Sequence, residues 1–336
     1  MSTSADWLIV PILRILSDGN YCSLSSLASQ LHSTPTIISN AIEVIDRDGL
    51  ADVAKLDSLS YRCCSPIVWL DPYVILHFSG SASISLHFAI HIIDTIESTN
   101  TFLLSKINDY QCSNNRVSVV AAEFQTGGRG RLGRKWYAGV GDSLTFSLRW
   151  YFMQDASKLA GLSLVIGIAI IRVLKLFSIE YANLKWPNDV LFNSQKLAGI
   201  LIELRGNVTG PCFAIIGIGI NFELSDKIKA TVNQNQGITD LFAITGKKID
   251  RNIFLGFLLA ELYRILQDFE QNGFSSFKQE WLSYQCYDGN FVKLTLPDST
   301  VIEGIVAGIN DDGSINLITS SGEKSFNVGD ISIRLK

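Results

Sequence analysis

Residues 127–136 read Gly127-Gly128-Arg129-Gly130-Arg131-Leu132-Gly133-Arg134-Lys135-Trp136. Glycines at four of the first seven positions let the backbone turn sharply and approach a ligand, because no Cβ obstructs positive φ angles. The three arginines carry guanidinium groups, which pair bidentately with carboxylates and phosphates. The stretch predicts a loop that binds one anion, or two anions brought together for reaction; a flexible basic surface loop is the alternative.

A second polar stretch, at residues 185–189, reads Lys185-Trp186-Pro187-Asn188-Asp189. The proline fixes a turn, and a cation, an amide and a carboxylate crowd around an aromatic ring. Such a cluster is costly in a core unless it is paired or functional. Lys196 follows at the start of an apolar strand, and Asn221 ends a strand rich in glycine. Lys196 either faces a ligand or is simply solvated, and Asn221 either binds a nucleotide or caps a turn.

The run Ser98-Thr99-Asn100 follows a predicted strand. Its two hydroxyls and its amide can both donate and accept hydrogen bonds, so they suit a neutral polar group such as a ureido ring. A helix N-cap is the alternative. The glycine-rich loop itself is neither a Walker loop nor a Rossmann turn, because the terminal Gly-Lys-Ser/Thr and a following helix pattern are missing.

Composition points to a globular protein with several domains. The chain has 336 residues, of which 47% are hydrophobic and 18% charged, so two or three domains are expected. The longest apolar run, Leu159–Ile171, is shorter than the ~18 residues of a membrane span and predicts a buried helix. We expect no membrane association, no secretory signal and a cytosolic location. The six cysteines have no metal-binding spacing and are expected to be reduced.

The order of helix and strand patterns predicts a chain of α+β class. Residues 1–65 show three short helical repeats and then an extended segment, Ala51–Cys63, which predicts a winged helix-turn-helix. Thr34, Pro35 and Gly49 should cap, begin and end the third helix. Residues 66–85, with Pro66 and Pro72, are interpreted as a linker.

The central region, residues 86–283, mixes strands and helices in an order typical of an α+β domain built on one sheet. Its predicted strands are Ile90–Ile96, Val117–Ala122, Ser143–Tyr151, Ile200–Glu203 and Phe213–Ile220, and its helices are Thr101–Ile107, Leu159–Phe177 and Ile253–Phe269. Residues 284–336 contain short β segments separated by turns, which predict a small barrel. The predicted strands of that barrel are Phe291–Leu296, Val301–Ile309, Ile315–Ile318 and Lys324–Val328.

Taken in order, these motifs resemble the motif set of the biotin protein ligases. The set consists of Ser98-Thr99-Asn100, Gln125 with Gly128-Arg129-Gly130-Arg131, Lys185-Trp186-Pro187-Asn188-Asp189, Lys196-Leu197-Ala198-Gly199 and Gly219-Ile220-Asn221. The resemblance covers nearly the whole chain. Bifunctional bacterial members, which are both ligase and biotin operon repressor, join a winged helix, a class II-synthetase-like mixed α/β catalytic domain and an SH3-like barrel in this order.

The resemblance implies a two-step reaction that consumes ATP with Mg²⁺. Biotin is activated to biotinyl-5′-AMP, and the biotinyl group then passes to a lysine of the biotin carboxyl carrier protein of acetyl-CoA carboxylase. Two anions must meet, so cations have to neutralise and align both. Arg131, Lys196 and Asp189 would be the catalytic residues, with Asp189 aligning the carrier lysine.

Further roles are implied in the same way. Biotin would be bound by Ser98, Thr99, Asn100, Gln125, Arg129, Gly130, Arg131 and Lys196. ATP and the adenylate would be bound by Arg131, Trp136, Asn188, Lys196, Asn221 and Arg334. No set of metal ligands can be identified, and Mg²⁺ is expected on phosphate oxygens near Asn188. A ligand-dependent homodimer is also implied.

Two segments depart from the family pattern. Residues 1–82 hold four basic and eight acidic side chains, and only Arg47 is basic on the predicted recognition helix, whose outward face is Thr36, Ser39, Asn40, Glu43, Asp46 and Arg47. Cationic contacts to phosphates supply most non-specific DNA affinity. The predicted wing, Lys55–Arg62, also lacks Gly-Lys-Gly. We therefore expect weakened or lost operator binding. Phe222–Asp240 lacks a tryptophan that could stack on adenine, so the coupling of ligand to dimerisation is expected to differ.

Two other functions compete with biotin ligation. A lipoate ligase or octanoyl transferase has the same catalytic fold and also modifies a carrier lysine. A biotin-sensing DNA-binding regulator without ligase activity is the second. The glycine-arginine loop, the Lys-Trp-Pro-Asn-Asp run and the C-terminal barrel favour biotin over lipoate. Intact Arg129, Arg131, Lys196 and Asp189, together with the acidic recognition helix, argue against a pure regulator.

Overall fold

The structure is a computed structural model that describes residues 6–57, 59–80, 82–106, 117–206, 210–232, 237–296, 298–327 and 332–335. Some predictions concern residues outside these ranges: Ser58, Ser81, Ile107, Cys112, Pro297 and Val328. Within the ranges, no helix is long and apolar enough to cross a membrane. The five described cysteines form no disulfide with one another.

The N-terminal unit consists of three helices and a small antiparallel sheet. The helices are α1 (Asp6–Leu16), α2 (Leu24–Gln30) and α3 (Pro35–Asp48), and the strands are β1 (Cys22–Ser23), β2 (Val53–Lys55) and β3 (Ser60–Cys63), in the order β1-β3-β2. The predicted ends of α3 are confirmed: the Thr34 side chain accepts a hydrogen bond from the Ile37 N–H, and Gly49 follows the helix with φ 66°. The left-handed conformation at this position favours glycine.

The segment predicted as a linker contains helical structure, so that prediction was wrong in part. Helices α4 (Pro72–Phe78) and α5 (Ala82–Ser85) lie within it. Asp71 caps α4 by accepting from the N–H groups of Tyr73 and Val74, and Pro72 occupies the first helical position, where its missing N–H costs nothing. The segment is helical because it packs against the long helix Arg251–Asn272. Phe78 lies so close to Gly256 of that helix that a Cβ added to Gly256 would come within 2.6 Å of Phe78 Cβ.

The central unit is built on one seven-stranded sheet. Its strands are β4 (Phe88–Ile96), β5 (Val117–Gln125), β6 (Ser143–Phe152), β7 (Ala182–Lys185), β8 (Asp189–Phe192), β9 (Gln195–Gly206) and β10 (Cys212–Asn221). Their order is β4-β5-β6-β10-β9-β8-β7, with only β4 and β5 parallel. Every predicted strand of this region is present, but the β7–β8 hairpin was not predicted because its strands have four residues each.

Helices cover the sheet and bury its apolar face. They are α6 (Thr99–Ser105), α7 (Leu162–Leu176), α8 (Asp226–Val232), α9 (Leu241–Thr245), α10 (Arg251–Asn272) and α11 (Lys278–Tyr284). The predicted helix Leu159–Phe177 corresponds to α7, in which eleven of fifteen residues are buried. Burial on nearly all sides explains its apolar sequence without a membrane.

The C-terminal unit is a five-stranded antiparallel sheet. Its strands are β11 (Phe291–Thr295), β12 (Val301–Ile309), β13 (Ile315–Thr319), β14 (Gly322–Phe326) and β15 (Ser332–Leu335), in the order β14-β13-β12-β11-β15. β15 was not predicted. Residues of this unit, such as Val292 and Leu317, belong to the same hydrophobic cluster as α7 and α10. The central and C-terminal units therefore share one core.

Candidate active site

A cavity of about 430 Å³ opens above the sheet, between the loop after β5, the start of α6 and the β7–β8 turn. Nearly all the predicted site residues lie in its wall: Ser98, Thr99, Asn100, Gln125, Arg129, Gly130, Arg131, Trp136, Asn188, Asp189 and Lys196. Residues almost a hundred positions apart in sequence are thereby brought together. Asn221 is not in the wall, and the side chain of Arg334, on β15, falls outside the part of the chain that is described.

The start of α6 presents a hydrogen-bonded polar group to the cavity. Ser98 caps the helix by accepting from the Thr101 N–H at 3.5 Å, so the N-cap alternative holds beside its place in the wall. The Thr99 N–H donates to Gln125 Oε1 at 2.8 Å, and Thr99 Oγ1 lies 3.2 Å from the same oxygen. Gln125 thus connects the end of β5 to the start of α6.

Two residues that the sequence did not single out extend this group. Ser147 Oγ, on β6, lies 2.7 Å from Thr99 Oγ1 and donates to Asn100 Oδ1 at 2.5 Å. Asn100 Nδ2 donates to Glu203 Oε2, on β9, at 2.9 Å. Gly217 of β10 makes room for Asn100, since a Cβ there would lie 2.3 Å from Asn100 Oδ1. Nothing in the local sequence of β6 or β9 indicated that Ser147 and Glu203 would bond to Asn100.

The glycine-arginine loop folds back on itself and is held at both ends. Gly128 accepts from the Trp136 N–H at 2.9 Å, and a Cβ on Gly128 would lie 2.6 Å from the Trp136 carbonyl oxygen. This close approach requires glycine. Arg129 forms an ion pair with Glu203 at 2.6 Å, and Arg131 Nη1 donates to Asn188 Oδ1 at 3.2 Å. The loop is therefore tied to β9 and to the β7–β8 turn.

Lys196 lies in the cavity wall, beside Asp189 and Trp136. Its Nζ forms an ion pair with Asp189 Oδ1 at 2.7 Å and lies 5.6 Å from the centre of the Trp136 ring. Glycines 199 and 219 leave space for that ring, since a Cβ on Gly219 would lie 2.5 Å from Trp136 Cε2. Trp136 Nε1 is buried and has no hydrogen-bond partner among the described residues. An indole N–H of this kind is free to donate to a ligand.

Asn221 supports Lys196 from behind. It is fully buried, and its Nδ2 donates to the carbonyl oxygens of Lys196 at 3.3 Å and Thr239 at 3.0 Å. The Lys196 N–H in turn donates to the Gly237 carbonyl at 2.8 Å. The structure places Asn221 where it fixes the backbone of a cavity residue.

The β7–β8 turn joins the cavity to the C-terminal unit. The Trp186–Pro187 peptide bond is cis. Trp186 Nε1 donates to the Gly313 carbonyl oxygen at 3.0 Å. Asn188 Nδ2 donates to the Ile200 carbonyl at 2.8 Å, which turns Asn188 Oδ1 towards Arg131. The predicted turn is confirmed, and its proline lies at the tip of a hairpin.

The charges around the cavity favour anionic ligands. Within the ranges that the structure describes, its wall contains six cationic side chains and one carboxylate, Asp189; the cations are those of Arg129, Arg131, Arg134, Lys135, Lys185 and Lys196. Clefts lined by charges of one sign concentrate ligands of the opposite sign. Among the described residues there is no group of three or more His, Cys, Asp or Glu side chains that could hold a metal ion. Asp189 places an oxygen atom 2.7 Å from Lys196 Nζ, and Asn188 places one 3.2 Å from Arg131 Nη1.

Two family models match the chain. Residues 92–221 match the biotin/lipoate A/B protein ligase family, and residues 289–334 match the biotin protein ligase C-terminal domain. The bifunctional ligase/repressor BirA of Escherichia coli is 32% identical over 323 residues, which is 96% of each chain. The biotin–[acetyl-CoA-carboxylase] ligase of Paracoccus denitrificans is 31% identical over 61% of this chain and 85% of its own.

A solved structure agrees with these matches. The biotin protein ligase of Aquifex aeolicus in complex with biotin and ATP superposes with a TM-score of 0.61 at 30% identity, covering 74% of this chain and 99% of the other. Fold and cavity thus define a ligase of the class that attaches biotin or lipoate to proteins. The chain belongs to the biotin protein ligase family.

Proposed function

We propose that the chain activates biotin with ATP to biotinyl-5′-AMP and transfers the biotinyl group to a carrier-protein lysine. The observation that carries the proposal is the single cavity in which six cations face a polar hydrogen-bonding group at the start of α6. The relatives support the choice of substrate, because the Aquifex enzyme was solved with biotin and ATP. The match over residues 289–334 is to a biotin ligase domain and favours biotin over lipoate.

In the first step, a carboxylate oxygen of biotin attacks the α-phosphorus of ATP and pyrophosphate leaves. Both reactants are anionic, so their approach is unfavourable until cations neutralise them. Lys196 and Arg131 are the candidates, since both line the cavity and each is oriented by a second side chain, Asp189 and Asn188 respectively. Mg²⁺ on the phosphate oxygens, near Asn188, would neutralise further negative charge.

In the second step, the carrier lysine amine attacks the biotinyl carbonyl carbon and AMP leaves. The amine must lose a proton in this step, and a carboxylate beside it would hold it in place and favour that loss. Asp189 is the one carboxylate that the described part of the chain contributes to the cavity wall, and its Oδ1 lies 2.7 Å from Lys196 Nζ. We propose Asp189 for this role. The acceptor is proposed to be the carrier protein of acetyl-CoA carboxylase, the enzyme named in the Paracoccus relative.

The polar group at the start of α6 would bind the biotin ring. Ser98, Thr99, Asn100 and Gln125 provide its hydrogen bonds, and Arg129 and Gly130 would complete the enclosure. Trp136 and Asn188 would contact the adenylate, with Arg334 as a further candidate from β15. Asn221 would act indirectly, through the Lys196 backbone that it fixes.

The experiment separates activation from transfer. The chain is incubated with biotin, ATP and Mg²⁺ without a carrier, and pyrophosphate release and protein-bound biotinyl-5′-AMP are measured by mass spectrometry. One equivalent of adenylate per chain is expected. Release of pyrophosphate with lipoate but not with biotin would contradict the proposal and favour a lipoate ligase.

We further propose that residues 1–65 form a winged helix-turn-helix, residues 86–283 a class II-synthetase-like catalytic domain and residues 284–336 an SH3-like barrel. The order of three helices followed by a β2–β3 hairpin supports the first assignment. We interpret residues 66–85 as the connection between the first two units, and the helices α4 and α5 within it contact α10. The cytosolic location and a ligand-dependent homodimer remain part of this proposal. Sedimentation with and without biotin and ATP tests the dimer, and a monomer under both conditions would contradict it.

Operator binding is proposed to be weakened or lost, despite the repressor function in the name of the Escherichia coli relative. Arg47 is the only basic side chain on α3, and its Nε and Nη2 donate to the two carboxylate oxygens of Asp48, at 2.7 and 2.9 Å. Asp46 accepts from Lys227 of α8 at 2.8 Å, so this end of the helix is engaged within the chain. A mobility-shift assay with the biotin-loaded protein tests this; saturable, sequence-specific binding at physiological salt would contradict it.

A further inference from the structure

The ring-binding group at the start of α6 is part of a longer hydrogen-bond chain that crosses the sheet. It runs from Arg129 through Glu203, Asn100 and Ser147 to Thr99, with distances of 2.6, 2.9, 2.5 and 2.7 Å. Ser147 is fully buried and is not part of the cavity wall, whereas Thr99 is. Asn100, Ser147 and Thr99 are buried, whereas Arg129 and Glu203 reach solvent. In the buried part, the donor or acceptor state of one group determines that of the next.

The direction of the chain is determined at Glu203. An ionised carboxylate can only accept hydrogen bonds, so Asn100 must turn its NH₂ group towards it. The Leu201 carbonyl, 3.3 Å from Asn100 Nδ2, imposes the same orientation. Asn100 Oδ1 therefore faces Ser147, and Ser147 must use its single proton to donate to it.

This orientation of Asn100 and Ser147 determines whether the Thr99 hydroxyl donates or accepts. Because the Ser147 proton is committed to Asn100, the contact between Ser147 and Thr99 is satisfied only if the Thr99 hydroxyl donates. The other neighbour of Thr99 Oγ1 is Gln125 Oε1, at 3.2 Å, which is also an acceptor. The Thr99 proton thus stays within the protein, and the oxygen presents lone pairs to the cavity. Such an oxygen accepts from an N–H donor and repels an oxygen of a ligand.

We propose that Ser147 and Glu203 are specificity-determining positioning residues that hold Thr99 as a hydrogen-bond acceptor for a ring N–H of the substrate. This inference rests on the proposed function, because it takes the ureido ring of biotin as the ligand. Gly217 is required by the same hydrogen-bond network, since any side chain at that position would displace Asn100. Neither Ser147 nor Glu203 touches the reacting atoms, so substitutions at these two positions should change which substrate is bound.

The first test removes the middle of the chain. In Ser147→Ala, the Thr99 hydroxyl loses its 2.7 Å partner and keeps only the longer contact to Gln125 Oε1, at 3.2 Å, so its proton is shared between Gln125 and the cavity. We expect the KM for biotin in adenylate formation to rise about tenfold, the worth of one buried hydrogen bond, with kcat and the KM for ATP nearly unchanged. The wild type should bind biotin more tightly than an analogue in which a ring N–H is replaced by oxygen. In Ser147→Ala, we expect this preference for biotin to fall about tenfold. Unchanged discrimination in a folded variant would overturn the inference.

The second test uses the sign of a double substitution. Asn100→Asp sets a second carboxylate against Glu203 and the Leu201 carbonyl, and should raise the biotin KM strongly. Glu203→Gln alone should raise it a few-fold, because a charge-assisted hydrogen bond is lost. In the Asn100→Asp background, Glu203→Gln should instead lower the biotin KM, because it removes the repulsion between the two carboxylates. If Glu203→Gln raises KM equally in both backgrounds, Asn100 does not face Glu203 as inferred.

Two controls separate the inference from the proposed function. Glu303→Gln changes a carboxylate that pairs with Lys293 in the C-terminal unit at 3.2 Å, and should leave the biotin KM unchanged. If the wild-type chain forms no biotinyl-5′-AMP at all, the proposed function fails. If it does and Ser147→Ala and Glu203→Gln bind biotin as the wild type does, only the inference fails.

Discussion

Replacing Lys196 by Met tests whether the Lys196–Asp189 pair serves catalysis or only stability. Methionine keeps the apolar stem of the side chain and removes the charge. Lys196 Nζ lies 2.7 Å from Asp189 Oδ1, and the two side chains are 30% and 13% exposed. Solvent screens such a pair, so its loss should lower the free energy of unfolding by only about 1 kcal/mol.

The expected catalytic loss is much larger. Removing one group that stabilises developing charge typically lowers the rate by about 10²–10³-fold, or about 3–4 kcal/mol. Lys196→Met should therefore slow pyrophosphate release by this factor at saturating biotin and ATP. The assay is single-turnover adenylate formation, with urea unfolding measured on the same preparation.

The chain offers a closely matched control in Lys229. Its Nζ pairs with Asp240 at the same distance, 2.7 Å, and its side chain is 31% exposed, but it does not line the cavity. Asp240 is only 1% exposed, so Lys229→Met should cost at least as much stability as Lys196→Met. It should change adenylate formation less than about fivefold. Equal catalytic losses in the two variants, or near wild-type activity in Lys196→Met, would refute the assignment of Lys196.

The remaining predictions concern two glycines beside the cavity, one buried ion pair and one buried carboxyl group. Gly217→Ala places a Cβ 2.3 Å from Asn100 Oδ1 and should raise the biotin KM about tenfold, whereas Gly219→Ala, 2.5 Å from Trp136 Cε2, should raise the KM for ATP instead; steady-state kinetics distinguishes them. Arg251→Met leaves the fully buried Glu123 without its partner at 2.7 Å and should cost about 3–5 kcal/mol in urea unfolding, part of which Glu123→Gln should restore. Burial raises the pKa of Asp142 from 3.8 to about 6 in the folded chain. Below pH 4 the buried carboxyl is neutral and costs no stability, and the folded state loses stability as the pH rises through 6 and the carboxyl ionises. Asp142→Asn lacks this loss and should therefore gain up to about 3 kcal/mol relative to the wild type between pH 4 and pH 7; a pH-independent difference would contradict the assignment.

The sequence predicted those parts of the fold that are set by local signals. Thr34, Pro35 and Gly49 define both ends of α3, and a hydrophobic run with breaks identified α7 as a buried helix. The helix α4 was missed because Pro66 and Pro72 are typical of a linker. Its stability comes from packing against α10, which is some 180 residues away in sequence and invisible to local patterns.

The site shows the same division. Chemical character singled out the glycine-arginine loop and the Lys185–Asp189 run, and the resemblance to the biotin protein ligases selected Arg131, Asp189 and Lys196 as catalytic. These three side chains lie in one cavity wall. Ser147 and Glu203 have no local signature, because a serine or a glutamate in a strand is typically a solvent-facing residue. Their importance arises from hydrogen bonds to Asn100, across β6 and β9. Asn221 was predicted as a ligand contact, and the structure places it behind Lys196 because its strand ends inside the core.

The measurement that tests the central claim most directly is a competition for the acceptor. The chain is incubated with ATP, Mg²⁺, a biotin carboxyl carrier domain and equal concentrations of biotin, lipoate and octanoate, and the carrier is analysed by intact mass spectrometry. We predict a single biotinyl group on the carrier lysine, absent when that lysine is replaced by Arg. A lipoyl or octanoyl adduct, or an unmodified carrier, would contradict the account.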